Sequence, residues 1–250
     1  MNKLRLLDLF SGIGGFSLSL ERSGYFETVA FCEIEPFPRR VLAKHWPNVP
    51  IYEDVRTLTA TKLADDRIGV DAICGGFPCQ DISYAGPGAG LDGERSGLWR
   101  EFFRLISEFR PALVLVENVA ALLDRGLSIV CGDLASIGYD ADWSVVSACA
   151  VGTPHVRRRL FALAYPDSKH GRPRLWNTAP RKHGPLQALD GEARPRSRFR
   201  ARLANPSSLY GGADGLPYGM ERNRGLGNAI APDVAELIGR AIGQAMTEAA

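Results

Sequence analysis

Cys79 stands in the run Gly75-Gly76-Phe77-Pro78-Cys79-Gln80, among turn-forming residues that directly follow the apolar strand candidate Val70–Cys74. The C-terminal end of a strand in an α/β protein is where ligand crevices form. A thiol placed there can act as a nucleophile once ionised. The other four cysteines, Cys32, Cys74, Cys131 and Cys149, read as small buried hydrophobes. A second chemical group is Glu117 in Glu117-Asn118-Val119, where an apolar strand ends. A poorly solvated carboxylate there has a raised pKa and can hold a proton near neutrality. A third is Arg157-Arg158-Arg159, after the turn Gly152-Thr153-Pro154-His155 and before the strand Leu160–Ala164. Adjacent arginines by themselves usually form a solvated face. The fourth is Asp8-Leu9-Phe10-Ser11-Gly12-Ile13-Gly14-Gly15-Phe16, whose glycines let backbone approach a ligand closely. Such a turn suits several nucleotides, a nicotinamide cofactor included. Glu33, after the second strand, can hold ribose hydroxyls, and Asp54 is a candidate for an adenine amino group. Each of these acids taken singly is more often a surface charge.

These groups need a frame. Strand candidates are Leu4–Phe10, Thr28–Cys32, Val70–Cys74, Ala112–Glu117, Trp143–Ala148 and Leu160–Ala164. Helical patterns fall near Phe16–Ser23 and over Phe37–His45, Leu98–Phe109, Leu127–Ile137 and Val234–Met246, with a loop at Gly227–Pro232. Alternation of strand and helix argues an α/β fold, with a mostly parallel sheet carrying helices on both faces. The run Ala112–Glu117 is continuously apolar, as in a strand buried on both faces.

Residues 166–215 break the pattern. They carry ten Lys/Arg and four acids, a net of +6, which leaves −4 for the rest of the 250-residue chain. Arg194, Arg196, Arg198, Arg200 and Arg202 alternate with other residues, a period that would line one face of an extended strand. The organisation read from this is a body of 1–165 and 216–250 with a basic, loop-rich insert at 166–215. A solvated loop is the plain reading of that insert, and phosphate contact is the functional one. The five cysteines are odd in number and irregular in spacing, so neither a disulfide frame nor a zinc site is expected. A reducing cytoplasm fits such a chain. No signal peptide, membrane span or metal is expected.

The motifs in this order resemble the cytosine-5-specific DNA methyltransferase family of bacterial and phage type. The likeness rests on Pro78-Cys79-Gln80, Glu117-Asn118-Val119, Arg157 and Arg159, and Gly227-Asn228-Ala229-Ile230. It covers about 1–165 and 216–240, and the combination is far more specific than any piece. The resemblance implies a Rossmann-like, S-adenosylmethionine-dependent fold, with a target-recognition segment placed where the basic insert lies. It implies Cys79, Glu117, Arg157 and Arg159 as catalytic residues. Cofactor contacts would be Phe10, Ser11, Gly12, Ile13, Gly15, Glu33, Ile34, Asp54, Val55, Phe77, Pro78, Leu98, Asn228 and Ile230. Gln80, Ser83, Arg194, Arg196, Arg198, Arg200 and Arg202 would contact double-stranded DNA, from which the target cytosine is flipped. The implied role is DNA modification, in a restriction–modification system or in phage self-protection, by a monomer. His155 departs from the family, which usually has glutamine there, and the insert is short. Other readings are an RNA (tRNA) cytosine-5 methyltransferase, a DNA-binding relative with impaired catalysis, and a nicotinamide enzyme. The last leaves Pro78-Cys79-Gln80 unexplained.

Overall fold

The computed structural model describes residues 2–78, 97–151, 157–167 and 230–248. Seven strands form one sheet: Leu4–Leu9 (β1), Phe26–Cys32 (β2), Ile51–Tyr52 (β3), Ala72–Gly75 (β4), Leu113–Val119 (β5), Tyr139–Ser147 (β6) and Arg158–Pro166 (β7). Their order is β3-β2-β1-β4-β5-β7-β6. The first five are parallel, and β7 runs antiparallel to both β5 and β6. The sheet is thus mostly parallel, as the alternating pattern predicts, with an antiparallel pair at one side.

Helices cover both faces. Gly15–Arg22 (α1) and Pro232–Glu248 (α7) share a core with Leu6, Ala72, Cys74, Leu113, Leu115, Phe161 and Leu163. The other face carries Ala60–Asp65 (α3), Leu98–Phe109 (α4) and Leu127–Ser136 (α6), packed on Leu7, Leu9, Ile73, Val114 and Val116. Odd and even strand positions therefore face different helices, which is why the central strands are apolar throughout. Helix α4 buries Trp99, Phe102, Leu105 and Ile106, one stripe at helical spacing. Gly239 and Gly243 let α7 lie close to the first helical unit, since a Cβ at Gly243 would strike the Tyr25 ring. Pro36–His45 (α2) opens with Pro36 at its start, where a missing N–H costs nothing.

Several expected boundaries move. Strand β6 starts at Tyr139, because the whole run through Ser147 pairs with β7. Sequence reading starts it at Trp143, since Asp140 and Asp142 interrupt the apolar pattern. Strand β3 and helix α3 carry no sequence signal of their own. A short helix, Leu122–Arg125 (α5), precedes α6 and ends at Gly126. Cys32 and Cys74 are buried as expected, but Cys131 is half-buried and Cys149 is exposed within a 3-10 turn, Ala148–Val151. Residues 168–215 of the insert and the candidates Cys79, Gln80, Ser83, His155, Arg194, Arg196, Arg198, Arg200, Arg202 and Asn228 lie outside the described residues, while Pro166, the insert's first residue, ends β7. Among the described residues no helix is long and apolar enough to cross a membrane.

Candidate active site

Parallel strands send their C-terminal ends to one edge of the sheet. An antiparallel neighbour brings its N-terminal end to that same edge. Strand β7 does this: Arg159 pairs with Val119 and Leu160 with Asn118. The sequence-distant groups at 8–16, 33–34, 54–55, 75–78, 117 and 157–159 therefore meet at one side of the molecule.

The glycine turn after β1 is clasped to the end of β2. Ser11 Oγ donates to the Asp8 carbonyl at 2.6 Å, and Ser11 N donates to the Cys32 carbonyl at 3.2 Å. Gly12 N donates to Glu33 Oε2 at 2.7 Å, while Glu35 N donates to Oε1 at 2.8 Å. Glu33 is only 8% exposed. Burial pushes its carboxyl up, and the two backbone donors pull it back in part. Phe10 has φ 53, in the left-handed region, which a bulky residue occupies only when its surroundings insist. Its ring lies 6.2 Å from that of Phe102. Ile34, next to Glu33, is 56% exposed. At Gly15 a Cβ would lie 2.7 Å from Ile230 Cγ2, so the segment before α7 closes on the glycine turn. Asp54 is occupied locally: Arg56 donates to both carboxylate oxygens, Nη2 at 2.7 Å, and holds the carboxyl below its usual range.

Glu117 faces the turn that leads to Cys79. Its Oε1 lies 2.8 Å from Arg159 Nε, a charge contact rather than an aligned hydrogen bond. Burial pushes the Glu117 carboxyl up, and the charges of Arg159 and Arg157 oppose that without cancelling it. Arg157 and Arg159 are half-buried while Arg158 is exposed, the alternation of a strand. The run of arginines is thus two inward cations and one solvated one.

Sequence reasoning gave no role to two residues at this turn. Asn118, 2% exposed, donates from Nδ2 to the Phe77 carbonyl at 3.2 Å and accepts from Val119 N at 2.8 Å. It ties β5 to the turn two residues before Cys79. A buried amide at the end of an apolar strand is the signal that could have found it, since buried polar groups need partners. Gly76 is the other: a Cβ there would sit 2.8 Å from Glu117 Oε2. Gly76→Ala therefore pushes the carboxylate aside by a few tenths of an ångström. Because the struck atom ends a side chain, we expect stability to change by less than about 1 kcal/mol. Any reaction that needs this carboxylate in place slows about tenfold, because misplacement by an ångström costs about a hundredfold. Parallel measurement of thermal midpoint and turnover checks this; equal losses in both would contradict it.

Residues 4–196 match the family profile of C-5 cytosine-specific DNA methylases. The chain belongs to that family. Among curated methylases, the Type II methyltransferase M2.BsuMI of Bacillus subtilis (strain 168) is 38% identical over 169 residues, 64% of this chain and 42% of that protein. The Type II methyltransferase M.CviJI of Paramecium bursaria Chlorella virus IL3A is 34% identical over 161 residues, again 64% and 42%. The chain spans about two fifths of the length of these relatives. In fold, the chain is similar to the Entamoeba histolytica methyltransferase EhMeth, with a TM-score of 0.67 over 98% of this chain and 99% of that one at 12% identity.

Proposed function

We propose that this methylase transfers a methyl group from S-adenosylmethionine to carbon 5 of a cytosine flipped out of duplex DNA. The observation that carries the reading is the meeting of Glu117 with Arg159 and with the turn leading to Pro78-Cys79, at the sheet edge where β1 ends in the glycine turn. Family membership supports it.

The residues present fit the cofactor. A carboxylate offers about four acceptor positions, and the backbone donors to Glu33 use two, which leaves room for ribose hydroxyls. A Cβ at Gly12 would meet nothing within 4 Å, so the backbone there is open to a close ligand. Phe10, Ser11, Gly12, Ile13, Gly15, Glu33, Ile34, Asp54, Val55, Phe77, Pro78, Leu98, Asn228 and Ile230 make up the proposed contacts. When bound, S-adenosylmethionine supplies an electrophilic methyl on its sulfonium.

Carbon 5 of cytosine is a weak nucleophile. The Cys79 thiolate adds to carbon 6, which makes carbon 5 electron-rich enough to take the methyl, with the neutral thioether S-adenosylhomocysteine as the leaving group. A base then removes the carbon-5 proton and the thiolate is expelled. Glu117 holds ring N3 and the exocyclic amine and shares a proton with them. Arg159 binds the cytosine O2, exchanging its contact with Glu117 for one with the base. Arg157 orients the thiol and a nearby phosphate, and its charge favours the thiolate. Gln80 and Ser83 close over the DNA. The insert at 166–215, with Arg194, Arg196, Arg198, Arg200 and Arg202, supplies phosphate contacts to the duplex and interrupts a catalytic body of 1–165 and 216–250. The protein works as a cytoplasmic monomer without a metal.

The test is transfer of labelled methyl to duplex DNA and, in parallel, to tRNA. Wild type labels duplex DNA at carbon 5 of cytosine, and Cys79→Ala labels nothing. Retained transfer in that variant rejects the nucleophile. Preference for tRNA overturns the substrate, and cofactor binding without turnover on either acceptor points to a binding protein.

A further inference from the structure

We infer that Arg104 is a positioning residue whose guanidinium fixes the Asp54–Leu58 turn and so sets the affinity for S-adenosylmethionine. The inference rests on the function proposed above. The turn begins just after β3, which is only two residues long and pairs at only two positions, Phe31 with Ile51 and Cys32 with Tyr52. So short a strand holds the turn weakly. Within the turn, Thr57 N and Leu58 N both donate to the Asp54 carbonyl, at 3.1 and 3.2 Å. That folds the segment but does not attach it to the rest of the molecule.

Val55 and Leu58 are buried in the core with Trp99, Phe102 and Leu105, and Arg104 adds the polar attachment from α4 that fixes the backbone. Its Nη2 donates to the Val55 carbonyl and to the Leu58 carbonyl, both at 2.9 Å. Nε donates to Glu101 Oε2 at 2.8 Å and Nη1 to Glu108 Oε1 at 2.5 Å, so its own helix orients the guanidinium. Glu108 Oε2 in turn accepts from Ala60 N at 2.9 Å, which secures the chain just beyond the turn. The same helix braces two other proposed contacts. Phe102 packs against Phe10, and Trp99 lies with its ring 5.6 Å from that of Phe77. Helix α4 is therefore a shared backbone for the pocket, and Arg104 is its hydrogen-bonded link to the side that carries Asp54 and Val55.

Arginine is needed for this geometry. A planar guanidinium presents five donors in a fixed fork, whereas a lysine ammonium has a single nitrogen. Lysine at 104 keeps the charge and cannot serve Glu101, Glu108 and two carbonyls together. A bond from a charged donor is strong enough that losing the pair of carbonyl contacts costs about tenfold in affinity.

The experiment uses the full chain with Arg104→Lys and Arg104→Met. S-adenosylmethionine binding is titrated by calorimetry, and amide hydrogen exchange at Thr57 and Leu58 is followed without ligand. Turnover at saturating cofactor is measured alongside. Both variants are expected to bind about tenfold more weakly, to exchange those two amides faster, and to keep kcat within about twofold of wild type. Arg104→Lys guards against a variant that fails to fold. Wild-type affinity in folded Arg104→Lys, even with a lower thermal midpoint, overturns the positioning role and leaves the parent reading standing. Wild type that does not bind S-adenosylmethionine overturns both.

Discussion

Glu117→Gln lowers methyl transfer to duplex DNA by about 10³-fold and leaves S-adenosylmethionine binding unchanged. Glu117 sits on β5 between buried Val116 and buried Asn118, and opposite Phe161 of β7. Burial and the two nearby arginines pull its carboxyl in opposite directions. Burial favours the neutral acid, and the charges of Arg159 and Arg157 favour the carboxylate. Burial wins, so the proton is held at a higher pH than on a solvated glutamate. Glutamine keeps the shape and one acceptor oxygen but has no acidic proton to share with ring N3. General acid–base catalysis contributes about 10²–10⁴-fold, which sets the expected loss. The pH profile gives the sign. A step that needs the protonated acid weakens as pH rises through the raised pKa, and this limb is missing in the variant. Full activity in Glu117→Gln, with the limb intact, would remove Glu117 from the chemistry.

A second large effect concerns stability. Asp8 is a buried carboxyl on β1, on the face covered by α1. Ser17 Oγ donates to its Oδ2 at 2.7 Å. Its pKa is pushed up from 3.8 to about 7, with desolvation as the largest cause. The Ser17 hydroxyl and backbone and the Cys74 thiol favour the ionised form, but less strongly. Oδ1 itself makes no aligned hydrogen bond. The linkage follows from the raised value. Below the unfolded pKa, both states carry the proton and the contribution is fully present. Between about 3.8 and about 7 the unfolded chain releases the proton and the folded chain keeps it, so stability is lost as pH rises. At about 1.4 kcal/mol per pKa unit, the loss is on the order of 4 kcal/mol. Asp8→Asn keeps an acceptor for Ser17 and does not titrate. The difference in unfolding free energy between the two proteins, measured in urea from pH 4 to pH 8, should change by that amount in favour of the variant. A difference independent of pH would mean that Asp8 is not buried as described.

The same residue illustrates what is legible locally. In Leu4–Phe10 the one acid of an apolar run stands out, but its burial follows from helix α1 folding back over β1. Sequence alone shows no such distance. The turn pattern after β1, the apolar run leading into Glu117 and the amphipathic stripe of α4 are local patterns and are readable for that reason, although β5 continues past Glu117 to Val119, where pairing with β7 extends it. Alternating strand and helix likewise sufficed for a mostly parallel sheet with helices on both faces. The catalytic and cofactor assignments came from motif order, which points to residue types and leaves their geometry open.

What the tertiary structure decided is pairing between distant residues. The reversal of β7 against β5 brings Arg159 to Glu117, 42 residues away in the chain, and no local period encodes the direction of a strand's neighbour. Strand β3 is too short to have a period and exists because β2 offers it an edge. Asn118 meets Phe77, Gly76 makes room for Glu117, and Arg104 reaches Val55 and Leu58. Each partner is chosen by three-dimensional proximity. Sequence determined most of the elements and their order, β3 and α3 among the exceptions, because hydrophobic periodicity and turn chemistry act over a few residues. The tertiary structure decided which side chains share a charge, a hydrogen bond or a gap, because those energies depend on distance in space and not along the chain.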